Sequence, residues 1–192
     1  MSALPLAVAV GDPAGVGPIV AVEAIARFPS ERFLVFGDAA ALRARAGGAL
    51  SNATFVDVGA VRAEDVALHA PSVSGGAQQL AALDAAIDAV LEGRARGLVT
   101  GPTSKESIVL AGHAFVGQTE HLARRCGLAD DDVSMLFLGP KLRVALVTTH
   151  LAIVDVPNEI TPARVARTLS HLAMALARLG HARPSIAVCG FR

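Results

Sequence analysis

The sequence predicts an α/β fold in which a layered, largely parallel sheet carries helices on both faces. The first observation is the alternation of short apolar runs with longer segments of helical periodicity. The second is that most of these runs are continuously apolar, which is typical of strands covered on both faces. The third is composition, since 53% of the 192 residues are hydrophobic and 18% are charged, which supplies a core and argues against disorder. This length suits one domain, or one domain with part of a second.

Seven short apolar runs are the strand candidates. They are Leu6–Val10, Phe33–Phe36, Thr54–Val58, Gly97–Thr100, Ser134–Leu138, Leu142–Val147 and Ile186–Val188. Gly139-Pro140-Lys141 separates the fifth run from the sixth and predicts a local antiparallel pair. The remaining strands are expected to be parallel, because helical segments separate them.

Start and stop signals predict the helices between these strands. The predicted helices are Val16 to Arg27, Ala39 to Ala46 with Asp38 as N-cap, a long helix from the cap Ser74 to Glu92, a helix with Thr103 and Glu106 in capping-box spacing that ends near Leu110, and a helix opened by Thr161-Pro162 and stopped by Gly180. The apolar face of the last helix consists of Val165, Leu169, Leu172, Leu176 and Leu179.

Charge and termini exclude several classes of partner. The 17 basic and 17 acidic residues cancel, and no basic stripe is visible, so the sequence predicts no nucleic-acid partner. The first basic side chain is Arg27, and the apolar stretch Leu4 to Val10 is too short to span a bilayer, which predicts no membrane association. Cys126 and Cys189 are isolated and are expected to be reduced, mostly buried thiols of a cytoplasmic protein.

Two glycine-containing loops that follow predicted strands are candidates for anion binding. In Gly11–Pro18, glycines would let backbone amides approach a ligand, although the loop fits neither the dinucleotide nor the Walker pattern. In Gly101–Lys105, backbone amides, two hydroxyls and the ammonium of Lys105 converge on a helix start, which suits a phosphate or a carboxylate. A tight turn without a ligand explains the first loop equally well, and a solvated Lys105 is slightly favoured by spacing alone.

Two further segments carry polar groups at element ends. Gln118 and Thr119 follow Gly117 at a helix start and offer neutral hydrogen-bonding groups, but a polar helix start capped by Thr119 explains them equally well. His150 ends the strand that begins near Leu142, at the kind of position where metal ligands and acid–base groups collect. One histidine does not make a metal site, because zinc needs about three protein ligands, and a lone histidine is more often structural.

Six motifs, in this order along the whole chain, resemble the 4-hydroxythreonine-4-phosphate dehydrogenase family of pyridoxal phosphate biosynthesis. They are Gly11-Asp-Pro-Ala-Gly-Val-Gly-Pro18, Thr100-Gly-Pro-Thr-Ser-Lys105, Gly117-Gln-Thr-Glu120, Val147-Thr-Thr-His-Leu151, Ile160-Thr-Pro162 and Val188-Cys-Gly190. No single motif is decisive, but the collinear set is specific.

The resemblance implies a fold similar to that of isocitrate and isopropylmalate dehydrogenases, and a site built at a homodimer interface. It implies NAD and a divalent metal (zinc, magnesium or cobalt) as cofactors and a small phosphorylated substrate. His150 corresponds to a metal ligand, and Gln118, Thr119 and Lys105 correspond to substrate-binding residues. The family usually has histidine where this chain has Gln118, so a titratable group is replaced by a neutral amide.

The resemblance also implies an activity and a departure from the family's length. The activity is NAD-dependent, metal-assisted oxidation and decarboxylation of 4-phosphohydroxy-L-threonine in vitamin B6 biosynthesis. Family chains continue past Cys189-Gly190 with an Asn-Pro-His loop and further ligands, so residues 1–192 are expected to be the N-terminal part of an α/β dehydrogenase, inactive without the C-terminal part. The alternatives are a paralogue acting on another phosphorylated four-carbon acid, and a non-catalytic fragment that binds a phosphorylated ligand.

Overall fold

The computed structural model describes residues 4–48, 50–67, 69–129 and 132–190. The chain divides into two compact units, Met1–Cys126 and Gly127–Arg192. Each unit has its own secondary structure, and six of the seven predicted strands are present in the described residues.

The first unit contains a four-stranded parallel sheet. Its strands are β1 (Leu6–Ala9), β2 (Phe33–Gly37), β3 (Ala53–Asp57) and β4 (Leu98–Thr100), in the order β3-β2-β1-β4. Val8 of β1 lies opposite Val35 of β2 on one side and Val99 of β4 on the other. The continuous apolar runs therefore form parallel strands, as the sequence predicts.

Helices cover both faces of this sheet. They are α1 (Gly17–Ala26), α2 (Ala39–Ala46), α3 (Ala63–Ala67), α4 (Val73–Leu91), α5 (Lys105–Leu110) and α6 (Gln118–Arg125). On one face, Ala7 and Phe36 pack with Leu83 of α4. On the opposite face, Val8 packs with Ile25 of α1 in a second cluster. The predicted α/β arrangement with helices on both faces is confirmed.

The helix caps are only partly as predicted. Asp38 caps α2, since its Oδ1 accepts a hydrogen bond from the Ala41 amide at 3.0 Å. The predicted cap Ser74 is wrong: Ser72 caps α4, because the Ser74 hydroxyl donates to Asp65 at 2.5 Å. The predicted cap Thr103 is also wrong: the cap of α5 is Ser104, and the Thr103 hydroxyl accepts from the Gln118 amide instead.

The second unit contains a hairpin and two helices. Its strands β5 (Leu136–Leu138) and β6 (Arg143–Ala145) pair antiparallel, which confirms the predicted local pair. The helices are α7 (Val156–Glu159) and α8 (Pro162–Arg178), and the Thr161 hydroxyl caps α8 by accepting from the Arg164 amide at 3.2 Å. On the predicted apolar face of α8, Leu172 and Leu176 are buried, whereas Leu179 lies beyond the last turn and is exposed.

Two further predictions are wrong. Ile186–Val188 is not a strand, because an apolar run becomes a strand only where another strand pairs with it, and Val188 is 63% exposed. Both cysteines are exposed rather than buried. Cys126 lies at the exposed carboxyl end of α6, and Cys189 lies in the irregular segment that follows α8.

Among the described residues, no helix has the length and apolar character needed to cross a bilayer.

Candidate functional site

The candidate site consists of the loops that follow β1 and β4. These strands are neighbours in a parallel sheet, so their carboxyl ends meet at the same edge. The two loops are joined by a backbone hydrogen bond in which the Asp12 amide donates to the Pro102 carbonyl at 2.8 Å. A second bond, from the Gly101 amide to the Ala9 carbonyl at 2.7 Å, lies at the base of the loops. The two segments predicted as anion-binding candidates are therefore in direct contact.

Glycine is required where the loops touch. Gly11 has a φ of 82°, and a Cβ at this position would lie 2.1 Å from the Pro102 carbonyl oxygen. A Cβ at Gly101 would lie 2.2 Å from the carbonyl oxygen of Val10. Side chains at either position would force the loops apart, so these glycines serve close backbone contact, whatever ligand the loops bind.

A buried glutamine of α4 binds the backbone of the Gly101–Lys105 loop. Gln79 is 0% exposed, and its Oε1 accepts a hydrogen bond from the Ser104 amide at 2.8 Å. Ser104 in turn caps α5, since its hydroxyl oxygen accepts from the Ser107 amide at 3.2 Å and from the Ser107 hydroxyl at 2.9 Å. The backbone that leads into Lys105 is thus fixed by a buried polar network.

Gln118 holds the same loop from the other side. Its Nε2 donates to the Gly101 carbonyl at 3.0 Å and to the Thr103 hydroxyl at 3.1 Å. Both donors of this amide therefore have protein partners, which leaves its carbonyl oxygen as the group that can meet a ligand. The structure brings Gln118 and the Gly101–Ser104 loop together.

Lys105 and Thr119 lie at the starts of α5 and α6, and both are exposed. Among the described residues, no carboxylate forms an ion pair with the Lys105 ammonium. Thr119 does not cap α6, because the N-cap position is occupied by Gly117. Both side chains are therefore accessible to a ligand at this edge of the sheet.

Charged contacts fix α6, and with it Gln118, against α4. His121 Nε2 lies 2.7 Å from Asp84 Oδ1, and its ring contacts Phe115 with ring centroids 5.6 Å apart. Arg125 forms ion pairs with Asp84 and with Asp88. Since Asp84 and Asp88 are one turn apart on α4, the two helices are held at two successive turns.

His150, the predicted metal ligand, lies in the second unit. The strand predicted to end at this residue ends earlier, at Ala145, so His150 does not end a strand as expected. The residue is exposed and has a φ of 56°, which is uncommon for a residue with a side chain. Within the described parts of the chain, its ring has no hydrogen-bond partner.

The side chains of the described residues do not form a metal site by themselves. Among them, no three His, Cys, Asp or Glu side chains are grouped so that they could hold a metal ion. His150 could therefore be only one ligand of a set completed by residues outside those described.

Sequence reasoning missed Gln79 and misassigned the cap beside it. A signal for Gln79 was present, because helical periodicity places it on the same face as Leu83 and Ala86, both of which belong to the buried core. A polar residue on a buried helix face needs a hydrogen-bond partner, and the amides of a neighbouring loop are the usual ones.

The described fold belongs to the isocitrate dehydrogenase-like class of α/β dehydrogenases. A solved 4-hydroxythreonine-4-phosphate dehydrogenase from Burkholderia phymatum superposes with a TM-score of 0.84 at 30% identity, over 98% of this chain and 62% of that one. A family model described as pyridoxal phosphate biosynthetic protein PdxA covers residues 29–192. The chain belongs to the PdxA family.

Two curated relatives have names that refer to different substrates. The 4-hydroxythreonine-4-phosphate dehydrogenase of Burkholderia vietnamiensis is 39% identical over 98% of this chain and 61% of its own length. A protein of Bradyrhizobium diazoefficiens, named "Putative D-threonate 4-phosphate dehydrogenase", is 32% identical over 98% of this chain and 60% of its own length. The chain thus spans about three fifths of the length of these relatives.

Proposed function

We propose that this chain forms the substrate-binding part of a dehydrogenase that oxidises and decarboxylates 4-phosphohydroxy-L-threonine with NAD and a divalent metal, in the cytoplasmic synthesis of pyridoxal 5'-phosphate. The observation that carries the proposal is the clamp on the Gly101–Ser104 loop, which Gln79 and Gln118 hold from two sides. These hydrogen bonds, the clamp, fix the backbone that precedes Lys105, and Lys105 is the one cation among the predicted substrate-binding residues.

The polar groups around this loop suit a phosphorylated hydroxy acid. A phosphate monoester carries a charge of about −1.5 to −2 near neutral pH, and the exposed Lys105 ammonium supplies a point charge to meet it. The Thr119 hydroxyl can donate to a substrate oxygen, and the Gln118 carbonyl oxygen can accept from a substrate hydroxyl or ammonium. Because Gln118 carries no charge, we expect its contribution to binding to be independent of pH.

The proposed reaction converts the substrate alcohol to a ketone. In the intact enzyme, the alcohol carbon would lose a hydride to NAD, the hydroxyl would lose its proton, and the resulting β-keto acid would lose carbon dioxide. NAD supplies the oxidising equivalent when bound, and His150 is proposed as one ligand of the metal. Since the described residues do not complete that ligand set, we expect the chain alone to bind substrate without turning it over. The family resemblance further suggests that the intact enzyme is a homodimer.

A second candidate is the oxidation of another phosphorylated four-carbon acid. It is favoured by the relative whose name refers to D-threonate 4-phosphate, which covers the same share of this chain as the first relative. That substrate keeps the phosphate but has a hydroxyl where 4-phosphohydroxy-L-threonine has an amino group. Lys105 would bind the phosphate of both substrates, so other residues of the site must distinguish the hydroxyl from the amino group.

Isothermal titration calorimetry tests the binding role. The chain has two lysines, so Lys141→Met, on the hairpin of the second unit, is a matched control for Lys105→Met. We expect 4-phosphohydroxy-L-threonine to bind and Lys105→Met to weaken it by about tenfold, which corresponds to the loss of one charge-assisted contact. Lys141→Met should bind as the unmodified chain does.

The outcomes separate the candidates. Tighter binding of D-threonate 4-phosphate than of 4-phosphohydroxy-L-threonine would favour the second substrate. Equal binding of the unphosphorylated 4-hydroxythreonine, or no effect of Lys105→Met, would contradict the proposed phosphate site. NADH formation by the chain alone, with metal and NAD added, would contradict the expected inactivity.

A further inference from the structure

A small pocket of the first unit lies at the carboxyl ends of β1 and β2. Val10, which follows β1, and Asp38, which follows β2, both line it. Pro13 of the loop after β1 and Val66 of α3 also belong to the lining. The volume of the pocket is about 70 Å³, which is room for about five water molecules or for a compound of about five to seven non-hydrogen atoms.

The wall of this pocket contains a buried amide group without a partner. Gln78 of α4 lines the pocket and is 4% exposed. Among the described residues, neither its Nε2 nor its Oε1 has a hydrogen-bond partner. The position that a Cβ would take at Gly37 lies 3.7 Å from this Nε2 and 2.9 Å from a methyl carbon of Val10, so the amide lies on the sheet side of the pocket.

A buried amide of this kind lowers the stability of the fold. A buried donor or acceptor that has no partner keeps the full cost of leaving water, so most buried polar groups in proteins are paired. The next residue, Gln79, is at least partly paired, because its Oε1 accepts from the Ser104 amide at 2.8 Å. Residues that break such a rule without a structural partner are found mainly at functional sites, so Gln78 points to a ligand.

The charged residues of the lining indicate the chemistry of that ligand. Arg45 of α2 is exposed, and it forms an ion pair with no carboxylate among the described residues. A planar guanidinium group suits a carboxylate, which it can bind through two parallel hydrogen bonds. Asp38 places a negative charge in the same lining, which disfavours a ligand with a second negative charge. Most of the other lining residues are apolar, as is usual for a small-molecule pocket.

We propose that this pocket binds a small monocarboxylate that carries a hydroxyl group, with the carboxylate on Arg45 and the hydroxyl on Gln78. The amide offers the hydroxyl an acceptor at Oε1 and donors at Nε2. Since both amide atoms are buried, the side chain must rotate slightly as the ligand enters, and the terminal torsion of glutamine has broad energy minima that allow this. Lys105, Gln118 and Thr119 do not line the pocket, so binding here is independent of the proposed catalytic function.

Nuclear magnetic resonance titration of the chain with sodium L-lactate tests the binding. We expect a saturable shift of the Gln78 side-chain amide resonance. Gln78→Leu should weaken lactate binding, followed at the backbone amides of the loop after β1, by at least about tenfold. Propionate, which lacks the hydroxyl, should bind the unmodified chain more weakly than lactate by a similar factor.

A charge-removing pair of variants tests the second contact. Arg45→Met should weaken lactate binding by about tenfold, because it removes the charge that meets the carboxylate. Arg43→Met is the matched control, since Arg43 is also exposed on α2 but does not line the pocket. Binding to the Arg43→Met chain should equal binding to the unmodified chain.

Thermal unfolding without ligand separates a binding role of Gln78 from a structural one. Because Gln78→Leu removes an unpaired buried amide, we expect it to raise Tm by roughly 2–8 °C. Gln79→Leu, the matched control, removes the hydrogen bond to the Ser104 amide and should lower Tm. A Tm of Gln78→Leu equal to or below that of the unmodified chain would overturn the proposal. The same holds for an absence of saturable lactate binding, equal binding of propionate, equal effects of Arg45→Met and Arg43→Met, or tighter binding of inorganic phosphate than of lactate at this amide.

Discussion

The contact between α4 and α5 leaves no room for a side chain at Gly76. A Cβ there would lie 1.8 Å from the carbonyl oxygen of Ser107 and 2.3 Å from its carbonyl carbon. These are backbone atoms, and Ser107 is 1% exposed, so Gly76→Ala can be accommodated only if the two helices move apart. Overpacking of this kind costs about 1–3 kcal/mol.

Helix propensity acts in the opposite direction, because alanine stabilises a helix interior over glycine by about 1 kcal/mol. A separation of 1.8 Å is far below ordinary contact, so we expect the steric cost to exceed this gain. The net loss in the free energy of unfolding should reach up to about 2 kcal/mol. For a protein of this size that lowers Tm by up to roughly 8 °C.

Thermal unfolding followed by circular dichroism measures the effect, with Gly75→Ala as the matched control. A Cβ at Gly75 would meet the Ser72 hydroxyl oxygen at 2.8 Å, which is the end of a side chain that can rotate. Rotation would weaken the Ser72 cap by about 1 kcal/mol and offset the similar gain in helix propensity. A Tm for Gly76→Ala equal to or above that of Gly75→Ala would refute the reasoning, since the backbone contact would then be free to adjust.

Three further predictions concern the pH dependence, the loop clamp and the core. Hydrogen bonding from Ser74, and then the Arg62 guanidinium, hold the pKa of Asp65 below its usual range. The ionised Asp65 carboxylate therefore stabilises the folded state above about pH 3.8, and this stabilisation is lost as the pH falls through the lower pKa of the folded state. Urea unfolding should therefore show a destabilisation by Ser74→Ala that is largest above pH 4 and shrinks in stronger acid, and a difference independent of pH would contradict this assignment. Gln118→Leu removes both donors to the Gly101–Ser104 loop, so hydrogen exchange at the loop amides should accelerate by roughly tenfold, and unchanged exchange would count against the clamp. Leu83→Ala creates a cavity at a residue that is 1% exposed and should lower the free energy of unfolding by about 2–5 kcal/mol in the same urea titrations, whereas a loss below about 1 kcal/mol would mean that the core collapses around the site.

The sheet was predictable because its signal is local. A continuous apolar run such as Phe33–Phe36 is typical of a strand covered on both faces, and the helical segments between such runs imply parallel pairing. Ile186–Val188 carries the same local signal and fails, because strand formation also depends on a pairing partner that composition does not reveal. The hairpin of β5 and β6 was predicted, but β6 ends at Ala145, so His150 does not end a strand as expected, because the length of an apolar run does not fix where its pairing stops.

The candidate site was predictable in outline and not in its supports. Parallel topology places the loops after β1 and β4 at the same edge of the sheet, but the contact between Asp12 and Pro102 also requires that the two strands be neighbours, which the strand assignments do not give. The predicted caps Ser74 and Thr103 were wrong because residues far along the chain bond to their hydroxyls: Asp65 accepts from Ser74, and Gln118 donates to Thr103. Competition from hydrogen-bond partners far along the chain cannot be inferred from the spacing of the capping residues.

The hydrogen bond from Asp12 to Pro102 joins segments separated by most of the first unit's sequence. A contact between such distant segments requires a long loop to close, and the entropy lost is offset here by the pairing of β1 with β4. A partly folded chain therefore lacks this loop contact, and a ligand that needs both loops would bind only the folded unit. At a hundred times its Kd, such a ligand would stabilise the entire unit by about 2.7 kcal/mol rather than ordering two loops alone. Such a ligand would also protect the first unit from proteolysis, because it lowers the population of the unfolded chain that a protease cleaves.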